Sequence, residues 1–247
     1  MRQHLLFWCC IIIWSTAPTG LVGCEMYSGE ARTAAELDSG RAMLLSGLRA
    51  NGIRDQQVLH AIAQVPRQEF VRPEDRRRAY SDEALPIAGG QTISQPYVVA
   101  AMTQLLQLRR EDRVLEVGTG SGYQAAVLAT LVREVYSIEI DASLADAALE
   151  RLRRLGYGNV QVRAGDGFYG WEEAAPFDAV IVTAAAPRIP ERLVAQMKPD
   201  GRLVMPLGEG LQQTLIRARK HGDRLQVERF DDVLFVPMRG AIRTPEG

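Results

Sequence analysis

The segment that most constrains the fold is RVLEVGTGSGY, at positions 113–123. A short apolar run leads directly into glycines at positions 118, 120 and 122. An apolar run of this length bounded by glycine is typical of a buried parallel strand. Glycine lets the chain turn tightly and lets a ligand approach the main chain. Because the next residues, YQAAVLATL, favour a packed helix, the segment predicts the ligand-binding crevice of an open α/β sheet.

The spacing of the glycines narrows the type of ligand. A dinucleotide-binding turn needs G-x-G-x-x-G, and Tyr123 occupies the position of its third glycine. The chain also has no G-x-x-x-x-G-K-[ST] phosphate loop. Glu116, beside the turn, would repel a pyrophosphate and attract an ammonium group. The pattern therefore favours a nucleotide-type site for a ligand with an ammonium group; the alternative is a glycine-rich turn that binds nothing.

The rest of the chain alternates strand and helix patterns. EVYSIEID predicts a second strand with Glu139 at its carboxyl end, where an acidic side chain can accept hydrogen bonds from ribose hydroxyls. Further strands are predicted from VQVR, FDAVIVT and RLVMPL, a hairpin at 213–219 and 225–230, and a last short strand at 233–236. Strands that alternate with helices before an antiparallel finish indicate an α/β fold with a mostly parallel sheet.

A second informative segment, ALPIAGGQTISQPY, precedes the glycine turn. Ser94 lies just before Pro96, and the apolar periodicity of residues 98–108 predicts a helix that begins near this proline. One interpretation is that Ser94 only caps this helix. The other is that its hydroxyl and the free N–H groups of the helix form a carboxylate site. The two glycines of the segment would let its loop move over a bound ligand.

The positions of the cysteines and histidines and the net charge of the chain exclude several classes of function. All three cysteines lie in the first 24 residues, so the body of the chain has no disulfide, catalytic thiol or cysteine-based metal site. The three histidines, at positions 4, 60 and 221, are too scattered for a metal site or a Ser-His-Asp relay. The formal net charge of −1 gives no bias toward nucleic acid. We therefore expect no metal and no nucleic-acid partner.

Together these segments resemble bacterial protein-L-isoaspartate(D-aspartate) O-methyltransferases over nearly all of residues 36–240. The glycine segment alone is similar to the first motif of class I S-adenosylmethionine-dependent methyltransferases, and GQTISQPY ahead of it makes the resemblance specific. Other matching segments are QVLHAIAQVPRQEFV, GDGFYGW, APFDAVIVTAAAPRIP and LFVPM. The resemblance implies a Rossmann-like class I methyltransferase fold with an N-terminal helical extension, and S-adenosyl-L-methionine as the methyl donor.

The resemblance also assigns roles to residues of three regions. The segment before the helix would supply the active-site serine and the substrate cleft, through Ser94 and its neighbours Thr92, Ile93 and Gln95. The glycine turn would hold the methionine part of the cofactor, at Glu116, Gly118, Gly120 and Gly122. The next two strand ends would bind the ribose and the adenine edge, through Glu139, Asp166 and Gly167.

The implied substrate is an L-isoaspartyl or D-aspartyl residue in a damaged protein. An isoaspartyl residue presents a free α-carboxylate with a pKa of about 3.3–3.7, so it is ionised at neutral pH and can attack a sulfonium methyl group without a general base. The methyl ester would close to a succinimide, which reopens partly to aspartate. A methyltransferase for a small molecule or an RNA base is one alternative, although TAAA stands where base methyltransferases often carry N/D-P-P-Y/F. A nicotinamide oxidoreductase, or a membrane-tethered binding protein without turnover, are others.

Residues 1–24 differ from the rest of the chain. Their apolar run, Leu5 to Trp14, suits a signal-peptide core and is short for a membrane span. LVGC at 21–24 is similar to a bacterial lipobox, which would make Cys24 a lipidated residue; an uncleaved anchor or an upstream start codon are alternatives. Because the methyl donor is made in the cytoplasm, we favour a cytoplasmic catalytic body, with an exported or lipid-anchored enzyme as the alternative. We expect a monomer that meets a membrane only through this segment.

The domain organisation follows from these assignments. With 247 residues and 47% hydrophobic content, the chain can form one full-sized α/β domain plus small additions. After residues 1–24, the small and polar residues 25–40 read as a linker, followed by one domain over 41–247. Its expected parts are N-terminal helices and the substrate loop over 41–110, the cofactor-binding core over 111–210, and C-terminal strands over 211–240. Asp55 is predicted to cap a helix that ends before Pro66.

Overall fold

The computed structural model describes residues 21–222 and 224–243, with side chains from Ala34 onward. The helices are α1 Leu21–Ala50, α2 Gln56–Gln64, α3 Pro96–Leu106, α4 Tyr123–Ala129, α5 Ala142–Arg154 and α6 Glu191–Ala195. The strands are β1 Leu85–Pro86, β2 Thr92–Ile93, β3 Arg113–Val117, β4 Glu134–Glu139, β5 Val160–Ala164, β6 Phe177–Val182, β7 Met197–Glu209, β8 Gln212–His221 and β9 Arg224–Asp232. Short 3-10 helices lie at Arg67–Glu69, Pro73–Arg78, Ala88–Gly90, Gly167–Tyr169, Glu172–Ala174 and Ala241–Arg243.

One seven-stranded sheet organises the molecule, in the order β5-β4-β3-β6-β7-β8-β9. β3 to β7 run parallel to one another, whereas β8 pairs antiparallel with β7 and β9 antiparallel with β8. This confirms the predicted mostly parallel α/β sheet with an antiparallel finish. The chain progresses from β3 to β4 and β5 on one side, and continues with β6 and β7 on the other. Ligands bind in the crevice outside the carboxyl ends of the strands at such a switch point.

The central strands are buried on both faces, which explains their continuous apolar sequences. Val114 of β3 packs in the cluster that includes helices α1 to α5. Leu115 and Val117 point to the opposite face and pack with residues of α6 and with Met238. The alternation follows from the two-residue period of a strand. Glu116 therefore lies on the same face as Val114.

The expected linker over residues 25–40 is wrong, because these residues lie within α1. Ala34 and Ala35 are strong helix formers, so a small-residue composition here continues the helix instead of ending it. The buried side chains of Leu44 and Leu48 then attach the second half of α1 to the core. The first helix of the body is thus longer than its apolar pattern indicates.

The signal-peptide-like segment lies outside the described residues except for positions 21–24, which begin α1. Nothing in the structure bears on lipidation at Cys24. Within the described part of the chain, no helix combines the length and the apolar content needed to cross a membrane.

The C-terminal region contains the predicted hairpin and one departure from prediction. β8 and β9 pair as expected, but residues 233–236 do not form a strand. The side chain of Gln213 replaces a strand partner there: its amide donates to Phe235 O at 3.0 Å and accepts from Phe235 N at 2.6 Å. The segment then bonds to Ala185 through Val236 O (2.9 Å) and Met238 N (2.7 Å). These contacts bring residues 236–239 to the carboxyl end of β6.

Candidate active site

The glycine turn closes the carboxyl end of β3. Its first glycine, Gly118, donates to Ile138 O at 2.8 Å and has a left-handed φ of +99°. The hydroxyl of Thr183, just after β6, donates to Gly118 O at 2.7 Å. A Cβ on Gly118 would lie 2.4 Å from this hydroxyl oxygen. Both the backbone conformation and the close approach therefore require glycine at this position.

A cleft lies beside this turn and is lined by residues of several strand ends. The predicted site residues that line it are Thr92, Ile93, Ser94, Gly118, Gly120, Glu139 and Gly167. Sequence reasoning missed other parts of its wall, notably Thr119, Thr183 and the C-terminal residues 236–239. The matching segment LFVPM was the signal that pointed to the C-terminal wall. The cleft thus joins residues far apart in the chain.

Glu139, at the end of β4, is the acidic side chain of the cleft. It is 6% exposed, and its two oxygens accept from Gly120 N at 2.9 Å and Asp141 N at 3.1 Å. Each carboxylate oxygen retains lone-pair capacity for a further donor. The side chain is therefore held in one orientation while it can still accept hydrogen bonds from ribose hydroxyls. Its predicted role in binding a ribose stays a prediction.

Glu116 does not line the cleft, and its predicted attraction for an ammonium group stays a prediction. It is fully buried and lies opposite Ser137 in the β3–β4 register, and the Ser137 hydroxyl donates to it at 2.5 Å. Burial raises the pKa of Glu116 to about 8. At neutral pH the carboxyl group is therefore mostly protonated and offers little negative charge. Ser137 also bonds to Thr119 at 2.6 Å, which links Glu116 to the cleft wall.

Gly122 and Asp166 also stand behind the cleft wall. Gly122 has a φ of +87°, and a Cβ there would lie 3.3 Å from Leu152 Cδ1 of α5, so this glycine serves helix packing. The Asp166 carboxylate accepts from Phe168 N at 2.9 Å and from Ala241 N at 2.7 Å. It therefore ties the C-terminal segment to the end of β5. Asp166 does not line the cleft, whereas its neighbour Gly167 does, and the predicted contact with an adenine edge stays a prediction.

The segment of residues 92–95, called the substrate segment below, faces the glycine turn across the cleft. The short strands β1 and β2 pair antiparallel and place Thr92, Ile93 and Ser94 on the cleft wall. Gln95 lies at the N-cap of α3 without a side-chain cap bond. The interpretation that Ser94 caps the helix is wrong, because Asp82 Oδ1 instead accepts from Tyr97 N at 2.8 Å.

The Ser94 hydroxyl is available to a ligand. No residue of the described chain forms a hydrogen bond with its oxygen, and the residue is half-buried. Its main-chain oxygen, in contrast, accepts from Arg67 Nη2 at 2.9 Å. The main chain is therefore fixed while the side chain remains free.

A second groove adjoins the cleft at Ser94. Thr92, Ser94 and Thr183 line both cavities, and Gln95 lines the groove alone. The groove continues past apolar and acidic side chains, among them Tyr97, Val98, Leu234, Asp231 and Asp232. Leu234 is 70% exposed, which leaves an apolar surface open to a partner. Ser94 thus lies where the cleft and the groove meet.

The donor set suits a ligand without phosphate. The glycine turn brings main-chain groups and no lysine or arginine, and the side chain at the next strand end is the acid Glu139. The arginine that lines the cleft, Arg239, comes from the C-terminal wall. Within the described chain, no group of His, Cys, Asp and Glu side chains is arranged to hold a metal ion. Glu139 and the main-chain groups of the turn fit a nucleoside, whose ribose hydroxyls can donate to the carboxylate.

Known proteins of one family are similar to this chain in sequence. The family model of protein-L-isoaspartate(D-aspartate) O-methyltransferase matches residues 39–242. Protein-L-isoaspartate O-methyltransferase 2 of Nitrosococcus oceani is 53% identical over 192 residues, which cover 77% of this chain and 88% of that protein. Protein-L-isoaspartate O-methyltransferase of a Roseiflexus species is 51% identical over 200 residues, covering 81% and 92%.

Solved structures show the same fold. A protein-L-isoaspartate O-methyltransferase superposes with a TM-score of 0.74 at 29% identity, covering 82% of this chain and 67% of that chain. A candidate protein-L-isoaspartate O-methyltransferase from Plasmodium falciparum, in complex with S-adenosyl-L-homocysteine, superposes with a TM-score of 0.70 at 28% identity, covering 80% and 97%. The chain therefore belongs to the protein-L-isoaspartate(D-aspartate) O-methyltransferase family.

Proposed function

We propose that this protein is a repair enzyme that methylates the free α-carboxylate of L-isoaspartyl and D-aspartyl residues in damaged proteins. The observation that carries the proposal is the position of Ser94. Its hydroxyl bonds to no described residue and lies between a cleft built around glycines and Glu139 and a second groove whose apolar lining suits an extended peptide. The relatives at about half identity carry the same activity in their names.

Different residues of the cleft would bind different parts of the methyl donor. The turn at Gly118 and Gly120 would hold the methionine part, and Glu139 would accept hydrogen bonds from the ribose hydroxyls. Gly167 would lie along the adenine edge. A Cβ there would lie 2.2 Å from Val117 Cγ1, so glycine lets the chain pack against β3 at this position. Bound S-adenosyl-L-methionine supplies a methyl group whose bond to sulfur breaks, with the electron pair left on sulfur, as a carboxylate oxygen bonds to the methyl carbon.

The residues of the substrate side position the nucleophile. Ser94 would donate a hydrogen bond to one carboxylate oxygen and leave the other free to attack, while Thr92, Ile93 and Gln95 shape the cleft around it. The isoaspartyl carboxylate is already ionised at neutral pH, since its pKa is about 3.3–3.7. No side chain needs to remove a proton, and alignment of the reacting atoms can account for roughly 7–11 kcal/mol of the barrier.

The product explains how methylation leads to repair. The main-chain nitrogen that follows the modified residue attacks the ester carbonyl, methanol leaves and a succinimide forms. Water then opens either carbonyl of this ring, which yields aspartyl or isoaspartyl residues. Repeated methylation of the isoaspartyl product would convert the population to aspartate.

We further propose a cytoplasmic monomer without a nucleic-acid partner. The methyl donor is made in the cytoplasm, and the net charge of −1 offers no electrostatic attraction to nucleic acid. The alternative is a membrane tether through residues 1–24 and Cys24. Cell fractionation with antibody detection distinguishes the two, because a tethered enzyme sediments with membranes.

Matched peptides test the activity. The protein is incubated with methyl-labelled S-adenosyl-L-methionine and a pair of peptides that differ only in an isoaspartyl or an aspartyl linkage. We expect label in the isoaspartyl peptide alone. Equal labelling of both peptides, or labelling of neither, would contradict the proposal.

A further inference from the structure

Arg67 is a buried cation with no role in the reaction described above. It begins a 3-10 helix and has no exposed surface. Burial lowers the pKa of its guanidinium, which still keeps its proton because arginine is not deprotonated in proteins. Among the described residues, no carboxylate forms an ion pair with it. Since arginine is almost never fully buried unless it is paired, this placement calls for an explanation.

The contacts of Arg67 reach both sides of the cleft. Its Nη2 donates to Ser94 O at 2.9 Å, with a longer contact of 3.4 Å to Glu83 O. Its guanidinium carbon lies 4.7 Å from the centre of the Tyr123 ring. Phe70 packs against the same ring with an edge contact of 5.5 Å. The guanidinium is therefore held between the substrate segment and the first residue of α4.

These two contact points belong to the two reacting partners. Ser94 presents the substrate carboxylate in the proposed function, whereas Tyr123 follows the glycine turn directly and lines the cofactor cleft. Arginine combines a planar cation that stacks on an aromatic face with N–H donors that bond carbonyl oxygens. One side chain thus fixes the distance between the substrate segment and the cofactor turn.

We propose that Arg67 is a positioning residue, which holds the main chain at Ser94 in register with the glycine turn and so sets the line of methyl transfer. The proposal rests on the function proposed above. The activity of the wild-type protein on the isoaspartyl peptide tests that function. The ratio of the variant's kcat to the wild-type kcat tests the role of Arg67.

The experiment compares two buried arginines in the full chain. Arg67→Met removes the proposed contacts, and Arg67→Lys keeps a cation and a donor. Arg202→Met is the control: Arg202 is 9% exposed, and its Nη2 bonds Asp112 Oδ2 at 2.6 Å near the amino end of β3, away from the cleft. For each variant, kcat, the KM for peptide, the Kd for S-adenosylhomocysteine by calorimetry and the Tm are measured where circular dichroism shows a folded protein.

We expect Arg67→Met to lower kcat by about 10–100-fold, because a misplacement of the substrate by about 1 Å can have an effect of this size. The Kd for S-adenosylhomocysteine should change by less than about threefold. Arg67→Lys should give an intermediate kcat, and Arg202→Met should lower the Tm with kcat unchanged. If Arg67→Met retains the wild-type kcat, or loses cofactor affinity in proportion to kcat, the residue is only structural. If Arg67→Met does not fold, a wild-type kcat in Arg67→Lys overturns the proposal.

Discussion

The cofactor side and the substrate side of the cleft are held in place in different ways. The glycine turn continues directly from β3, in the middle of the sheet, and main-chain bonds such as Gly118 N to Ile138 O fix it. The substrate segment instead rests on β2, a two-residue strand that pairs only with β1 within the described chain. Side chains from earlier in the sequence, Arg67 and Asp82, hold its continuation into α3.

This difference predicts two kinds of sensitivity. The glycine turn continues a central strand and is bonded by both main-chain groups and the side chains of Thr183 and Glu139, so an added Cβ at Gly118 is the change that should disturb it most. A segment fixed by a few side chains depends on each of them. Substitutions on the cofactor side should therefore act on cofactor affinity, and substitutions on the substrate side should act on turnover.

The largest effect is expected from Gly118→Ala. The new Cβ would lie 2.4 Å from Thr183 Oγ1 at a φ of +99°. Left-handed strain of about 1–2 kcal/mol and overpacking of about 1–3 kcal/mol should displace the turn and weaken S-adenosylhomocysteine binding by more than about tenfold. Gly158→Ala is the matched control, because a Cβ there meets nothing within 4 Å. Equal affinities of the two variants for S-adenosylhomocysteine by calorimetry would show that cofactor binding does not depend on the turn at Gly118.

Ser94→Ala should lower turnover and leave cofactor affinity nearly unchanged, in contrast to Gly118→Ala. Loss of a hydrogen bond to a charged carboxylate amounts to about 1.5–3 kcal/mol, so turnover should fall by about 10–100-fold. Cofactor affinity should remain nearly unchanged, since the hydroxyl contacts no described residue of the turn. Steady-state kinetics and calorimetry on the same preparation measure both quantities. An equal loss of turnover and affinity would assign Ser94 to structure alone.

Glu116→Gln tests the buried carboxyl group behind the turn. Its pKa is about 8 in the folded protein, against about 4.3 for an ordinary glutamate. Between these values folding takes up a proton, so wild-type stability falls as pH rises, by at most about 1.4 kcal/mol per pH unit. The variant lacks this dependence, and its Tm relative to wild type should increase from acidic to mildly alkaline pH. Parallel Tm curves would show that Glu116 is ionised throughout.

The smallest effect is expected from Asp82→Ala. This change removes the acceptor for Tyr97 N at the start of α3, which should lower stability by about 1 kcal/mol. Asp55→Ala is the matched control, since Asp55 caps α2 through Gln57 N at 2.8 Å. Both variants should lose similar stability by thermal denaturation, but only Asp82→Ala should raise the KM for the isoaspartyl peptide. Unchanged kinetics in both would show that the substrate segment does not need Asp82.

The same contrast explains what the sequence could predict. The strand, glycine turn and helix of residues 113–129 are encoded locally, so the fold and the positions of Gly118 and Glu139 follow from the pattern. The side of the strand on which Glu116 lies depends on the register with Ser137 of β4, which the local pattern does not contain. A position next to a glycine turn in the sequence is therefore weak evidence that a side chain contacts the ligand.

The missed residues depend on contacts between distant segments. Arg67 is an arginine, a residue type that is mostly exposed, yet the chain folds it beneath Ser94 and against Tyr123. The cap of α3 comes from Asp82 and not from the adjacent Ser94. The linker assignment failed because alanine-rich composition favours helix as readily as it suits a flexible chain.

The pH dependence of kcat/KM for the isoaspartyl peptide tests most directly the claim that the enzyme positions an already ionised nucleophile. The substrate carboxylate has a pKa of about 3.3–3.7, so the profile should be flat from about pH 5.5 to about pH 7.5. A fall in kcat/KM below about pH 7 would reveal a required general base with a pKa near neutrality and would contradict the account.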